Sequence, residues 1–249
     1  MQEILDFEPD YIFHMAAQPL VSEGFKHPVK TFDTNIIGTV NLINSLRYLD
    51  KRCCSVIITT DKVYENKYTD HYYKENDRLG GKDPYSSSKA CAEIVTSSMC
   101  ESFFNVDDFA SHQKSFSTVR SGNVIGGGDW SENRLIPDFI KSTYTNKKVK
   151  IRNPMSIRPW QHVIDPILAY ILVAYKLDEN PKLFSTPYNF GPVKKDCLKV
   201  SEVIEKCISF LGRGEMTYDE KALSFKEAPE LKLDINKSKL ILDWSPLVN

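Results

Sequence analysis

The sequence predicts an α/β protein built on a parallel sheet. Three observations carry that prediction: short runs rich in β-branched or aromatic residues alternate with longer segments of helical period, each strand-like run ends where polar or small residues begin, and two helical segments open at a proline, which the first helical turn tolerates best. The expected strands are residues 11–15, 55–60, 115–120 and 188–190. Residues 28–49 place Val29, Phe32, Ile36, Ile37, Val40, Ile43 and Leu46 at helical spacing, and 84–104 repeat the arrangement through Ala90, Ala92, Ile94 and Val95. Beyond Arg120 the texture changes. A glycine run at 126–128 is followed by helix-like segments at 135–144, 166–176 and 200–211, a basic stretch at 147–152 and a charged, weakly apolar tail at 227–242. This change marks a second, smaller lobe.

Composition narrows the partners. With 32 Lys+Arg against 33 Asp+Glu in 249 residues, the net charge of −1 gives no electrostatic reason to expect nucleic acid or an anionic bilayer. No apolar run approaches the roughly 20 residues that cross a bilayer, and the first seven residues lack the basic start and apolar stretch of a signal peptide. A cytoplasmic location is the expectation. Cys53, Cys54, Cys91, Cys100, Cys197 and Cys207 form no CxxC pair and no His-flanked cluster, so they are expected to be reduced packing residues, with no metal site.

Two short patterns carry chemistry. In Tyr85-Ser86-Ser87-Ser88-Lys89 the Tyr and Lys stand one helical turn apart, so the ammonium is expected to favour the phenolate and make Tyr85 a general base for a substrate alcohol. Taken alone, such a pair is more often a solvated helix face. Thr59-Thr60-Asp61-Lys62 ends a strand, where open α/β sheets bind ligands, and supplies a hydroxyl, a carboxylate and an amine that can orient a hydroxyl, donate a proton and accept one. A turn and helix cap is the competing reading of that tetrad.

Together with Phe13-His14-Met15-Ala16-Ala17-Gln18, these pieces resemble the extended short-chain dehydrogenase/reductase family. Within it the resemblance narrows to the CDP-glucose 4,6-dehydratases, through Gln18-Pro19-Leu20-Val21, Thr34-Asn35-Ile36-Ile37-Gly38-Thr39, Asp83-Pro84-Tyr85, Arg134-Leu135-Ile136-Pro137 and Ile151-Arg152-Asn153-Pro154. Two longer stretches are more distinctive: Gly122-Asn123-Val124-Ile125-Gly126-Gly127-Gly128-Asp129-Trp130 and Arg158-Pro159-Trp160-Gln161-His162-Val163. The similarity runs from about Phe13 to about Trp244.

The resemblance implies an incomplete Rossmann-like, doubly wound parallel sheet. A partial NAD-binding domain would span 1–130 and a mainly substrate-binding lobe 131–249, with 162–192 returning to the sheet. It implies a lyase that uses tightly held NAD to convert CDP-glucose to CDP-4-keto-6-deoxyglucose. Tyr85 would take the 4-hydroxyl proton, Lys89 would lower the Tyr85 pKa and hold the nicotinamide ribose, and Thr60 would bond the 4-oxygen. Asp61 would protonate the departing 6-hydroxyl, and Lys62, neutral when it acts, would be the base at carbon 5. Ala16, Ala17, Asn35, Thr59, Tyr85 and Lys89 match positions that line NAD. Gln18, Asn123, Arg134, Arg152 and Arg158 match the substrate side, where a guanidinium can grip a diphosphate in a bidentate way. Trp130 and Trp160 are expected to pack, and His14 and His162 to be structural.

Relatives in this family pair through a four-helix interface, here residues 28–49 and 84–104, so a homodimer is expected. The glycine-rich turn that cradles a dinucleotide pyrophosphate and the ribose acid that follows it are not found. The chain is therefore expected to be truncated at its N-terminus, and at its C-terminus near Trp244-Ser245-Pro246, with little autonomous NAD binding. Another nucleotide-sugar epimerase or dehydratase, or a catalytically dead fragment retaining part of the site, remains the alternative.

Overall fold

The computed structural model describes residues 2–67, 70–193, 196–218 and 230–248. Helix α1 (Gln2–Phe7) leads into β1 (Tyr11–His14). The chain returns through α2 (Val21–Lys26), α3 (Pro28–Phe32), a π-helical stretch Asp33–Ile37 and α4 (Gly38–Ser45) to β2 (Cys53–Ile58), then through α5 (Pro84–Phe103) and α6 (Phe109–His112) to β3 (Lys114–Ser121). A smaller group follows: β4 (Val124–Ile125), α7 (Leu135–Tyr144), β5 (Lys148–Ile151), β6 (Ile157–Pro159) and β7 (Gln161–His162). Next, α8 (Ile164–Glu179) and α9 (Pro181–Phe184) carry the chain back to β8 (Tyr188–Phe190), ahead of β9 (Cys197–Lys199), α10 (Val200–Leu211), β10 (Glu215–Tyr218) and α11 (Asn236–Leu242).

Strands β1, β2, β3 and β8 form one sheet in that order, and every pair is parallel. Parallel strands are joined by crossovers that cover both faces. On one face Val56, Val119 and Phe190 pack with Val173 and Leu177 of α8 and with Leu233 and Trp244. Another cluster joins Cys53 and Phe116 to Ile43, Leu46 and Phe104. The smaller lobe has its own core of Phe139, Val149, Ile151 and Ile204, and β5 pairs in parallel with β10. The basic stretch at 147–152 is thus a strand. Its alternation turns Val149 and Ile151 inward and leaves Lys148 and Lys150 exposed.

Two expectations need correction. The helix from residue 28 buries Thr31, Asn35, Thr39 and Ile43, spaced by four, while Val29 is 81% exposed and Ile37 48%. The π-helical stretch winds more widely than an α-helix and carries that four-residue row along one face, so the buried row begins polar where an apolar stripe was expected. Trp130 does not pack: it is 62% exposed. Residues 227–229 of the expected tail lie outside the described residues, and the rest of it includes α11. All six cysteines are free, with Cys53 and Cys54 buried in β2. Among the described residues no helix is long and apolar enough to cross a membrane.

Candidate active site

The carboxyl ends of β2 and β3, the first turn of α5 and the loops of the smaller lobe enclose a cleft of about 460 Å³. Its geometry starts from two caps. Thr60 leaves β2 in extended conformation, and its hydroxyl accepts from the Lys62 backbone N–H at 3.4 Å, turning Asp61–Val63 into a single 3₁₀ turn. Asp83 caps α5 by accepting the Ser86 backbone N–H at 2.9 Å, with Pro84 in the first turn, so Tyr85 lines the cleft from the helix start. Gly81 permits this approach: a Cβ there would lie 2.3 Å from the Ser87 backbone nitrogen.

Thr60, Asp61, Lys62 and Tyr85 therefore share one cleft. The Thr60 hydroxyl donates to Asp61 Oδ1 at 3.0 Å and also hydrogen-bonds the Tyr85 side chain. Asp61 is 2% exposed, and its Oδ2 has no hydrogen-bond partner among the described residues. Burial raises its pKa, against the opposing pull of Lys62, Thr60 and Arg158. Such a carboxyl is suited to hold a proton and give it up. Gly122 leaves it room, because a Cβ at Gly122 would sit 3.2 Å from Asp61 Oδ2 and 2.4 Å from Pro159 Cγ.

Tyr85 and Lys89 are both buried on the inner face of α5. Burial pushes the Tyr85 phenol up to about 12, the Asp61 carboxylate adds to the rise, and the hydrogen bond with Thr60 opposes it. Lys89 is anchored on β2. Its Nζ donates to the Ile58 carbonyl at 2.9 Å, and burial lowers its pKa to about 8 while Glu93 pulls the other way. The four-residue spacing does put both side chains on one helix, but the ammonium is anchored on the end of β2.

Asn123, Arg134, Arg152 and Arg158 line the same cleft. Arg158 is 3% exposed and donates to the Ile157 carbonyl at 2.9 Å, whereas Arg134 is half-exposed and lies 3.8 Å from Asp129. Arg152 donates to the Asn133 carbonyl at 3.2 Å. Gln18 and Asn35 are not in the lining. Asn35 Oδ1 accepts the Gln18 backbone N–H at 2.8 Å, and its Nδ2 donates to the Gln18 carbonyl at 3.1 Å and to Ser88 Oγ at 2.8 Å. This clamp ties the loop after β1 to α5. Ala16 and Ala17 sit in that loop, and Thr59 turns its hydroxyl onto Glu93. His14 has a partner after all, with Nε2 3.0 Å from Thr39 Oγ1, and burial lowers its pKa to about 4.

Sequence reasoning missed Tyr170 and Ser121, which also line the cleft and are joined by a 2.7 Å hydrogen bond. It also missed Glu93 and Arg120. Tyr170 lies within an ordinary amphipathic helix, so no local pattern marked it. Glu93 does carry a signal, since it continues the 85, 89 row by one more turn.

A model of the GDP-mannose 4,6 dehydratase family matches residues 1–249. The chain belongs to that family. Its members fall within the extended short-chain dehydrogenase/reductases, so the sequence resemblance and the α/β fold agree. The chain is 43% identical over 243 residues to the CDP-glucose 4,6-dehydratase of Salmonella typhimurium, covering 98% of this chain and 68% of that protein. It is 26% identical over 254 residues to the UDP-glucose 4-epimerase of Mycoplasma pneumoniae, covering 98% and 73%. In fold it is similar to the dTDP-glucose 4,6-dehydratase of Bacillus anthracis (TM-score 0.78, 24% identity, 98% of this chain and 70% of that one). It is likewise similar to the UDP-glucuronic acid 4-epimerase of Bacillus cereus (TM-score 0.83, 18% identity, 100% and 73%). Dehydratases and epimerases of this family are enzymes, and their sugar chemistry shares one scaffold.

Proposed function

We propose that this protein catalyses the NAD-dependent dehydration of CDP-glucose to CDP-4-keto-6-deoxyglucose. The reading is carried by Thr60, Asp61, Lys62 and Tyr85 lining one cleft in a chain 43% identical to a CDP-glucose 4,6-dehydratase. Tyr85, acting as its phenolate, takes the proton of the sugar 4-hydroxyl, with Thr60 holding the 4-oxygen; a bound nicotinamide's positive charge and the Lys89 ammonium one turn along would favour that phenolate. The ketone formed at carbon 4 acidifies the proton on carbon 5, which Lys62 removes. Asp61, whose pKa burial raises, delivers a proton to the departing 6-hydroxyl. Arg134, Arg152 and Arg158 supply the guanidinium groups for the diphosphate.

Bound NAD would supply the acceptor for the hydride at carbon 4 and its return to carbon 6. The chain's residues suit the nicotinamide ribose. Among the described residues Lys89 Nζ donates only to Ile58, which leaves two of its three N–H bonds for a ribose diol, and Ala16 and Ala17 offer little bulk beside the end of β1.

Incubation with CDP-glucose and NAD is expected to yield a 4-keto sugar nucleotide that absorbs in the near-ultraviolet in alkali. No product from CDP-glucose while UDP- or dTDP-glucose turns over would refute the assignment. We further propose a homodimer through α3–α4 and α5, where Val29 (81%), Ile94 (54%) and Phe103 (43%) are exposed. Light scattering that returns the mass of a single chain at micromolar concentration would refute that pairing.

A further inference from the structure

We propose that Glu93 is a positioning residue for this reaction, pinning the helix face that carries Tyr85 and Lys89 to the strand end that carries Thr60 and Asp61. The inference rests on the function proposed above. Glu93 is 4% exposed, and both of its carboxylate oxygens are engaged. Arg120 donates to it from Nε at 2.9 Å and from Nη2 at 2.8 Å, Thr118 donates its hydroxyl at 2.6 Å, and Thr59 donates its hydroxyl as well. Arg120 is itself 2% exposed and reaches on to the Tyr64 hydroxyl and the Glu75 carbonyl, both at 2.9 Å. Helix α5 thus grips the end of β2 and the residue after it, Lys89 on Ile58 and Glu93 on Thr59.

A buried ion pair is a poor stabiliser when judged against an apolar pair of similar volume, which would hold helix to sheet as well. Two things an apolar pair cannot do. It cannot fix the rotamer of Thr59, the residue that sets the direction of Thr60. Nor can it place a negative charge one turn from the Lys89 ammonium, which burial works to discharge. The other titratable group facing Lys89 is His14 of β1, which burial and Lys89 itself keep neutral, so Glu93 is the charge that opposes the loss of the lysine's proton.

The test is the titration of Lys89 in the full, ligand-free chain, followed by the NMR shift of a ¹³Cε-labelled lysine side chain and assigned with Lys89→Arg. Wild type, Glu93→Gln and the apolar pair Glu93→Met/Arg120→Met are compared. Glu93→Gln is expected to lower the Lys89 midpoint by about one pH unit. The apolar pair is expected to keep a melting temperature near wild type while its Lys89 midpoint stays low. In turnover, Glu93→Gln should cut kcat by about tenfold or more at pH 7 with KM for the sugar nucleotide within about twofold. An unmoved Lys89 midpoint, or full kcat in the apolar pair, would reduce Glu93 to a packing role and overturn the proposal. If wild type turns over no CDP-glucose, the proposed function fails, while the titration still decides Glu93.

Discussion

Replacing Asp61 by asparagine is expected to stabilise the protein at neutral pH while removing its turnover. The carboxyl is 2% exposed, one oxygen is held by Thr60 at 3.0 Å and the other has no hydrogen-bond partner among the described residues, so the folded state resists its ionisation. Its folded pKa is raised by burial above the roughly 3.9 of an unfolded Asp. Below that value both states are neutral and the group contributes nothing. As the pH climbs, the unfolded chain releases the proton and the folded chain keeps it. Each pH unit between the two pKa values therefore costs the fold about 1.4 kcal/mol. Asparagine keeps the Thr60 hydrogen bond and never ionises, although it forfeits the attraction of Lys62 and Arg158. Single stabilising substitutions return about 0.5–2 kcal/mol, which for a chain of this size is roughly 1–8 °C in Tm. Scanning calorimetry at pH 7 and at pH 4 checks it: the gain should be present at pH 7 and shrink towards zero at pH 4. Turnover of CDP-glucose should fall by about 10²–10⁴. A variant that melts at or below wild type at pH 7, or gains equally at both pH values, would show that burial of the charge is not what strains this site.

Tyr85→Phe should lower the rate of 4-keto product formation by about 10²–10⁴, and a rate within tenfold of wild type would remove the phenol from the reaction. Gly122→Ala drives a methyl to 2.4 Å from Pro159 Cγ, so about 1–3 kcal/mol of stability should be lost. Because Pro159 follows Arg158, KM for CDP-glucose should rise more than kcat falls, and unchanged KM and Tm would contradict the crowding. Asn189, fully buried, accepts from the Tyr64 hydroxyl at 2.6 Å and donates to the carbonyls of Tyr73 at 2.8 Å and Asp234 at 3.1 Å. Asn189→Ala removes three hydrogen bonds, although the Tyr64 hydroxyl keeps Arg120 and the Tyr73 carbonyl keeps the Asp234 backbone N–H, so at about 0.5–1.5 kcal/mol each urea unfolding should show a loss of about 1.5–4.5 kcal/mol. A loss under about 1 kcal/mol would mean water replaces those bonds.

The sequence was most informative where a residue's role is local. Strands at the centre of the sheet announced themselves because parallel strands are buried on both faces and so concentrate β-branched and aromatic side chains, as in β2. Pro84 marked the start of α5, to which the structure adds the Asp83 cap. The Thr60-Asp61-Lys62 turn and Tyr85 could be paired in advance because strand ends and helix starts converge at one edge of an open sheet. What sequence could not supply was the partner of each polar group. Lys89 was expected to face the phenol, yet it is bonded to a carbonyl of a neighbouring strand, and helical spacing carries no information about that strand. Nor could spacing foretell that the Asn35 side chain clamps the Gln18 backbone across 17 residues. Short strands such as β4, β6 and β7 were invisible because two or three residues show no periodicity.

Helix α5 turns Ser86, Ser88, Lys89, Glu93 and Thr96 towards the interior, with alanines filling the spaces between them. Grease is forgiving of position, since one hydrocarbon replaces another at modest loss, but a hydrogen bond made at the wrong angle is scarcely made at all. The segment that carries the reacting phenol is therefore seated more like a key than like a cork. Random mutagenesis should find α8, with its aliphatic inner face, permissive to many exchanges, and the inner face of α5 open to almost none.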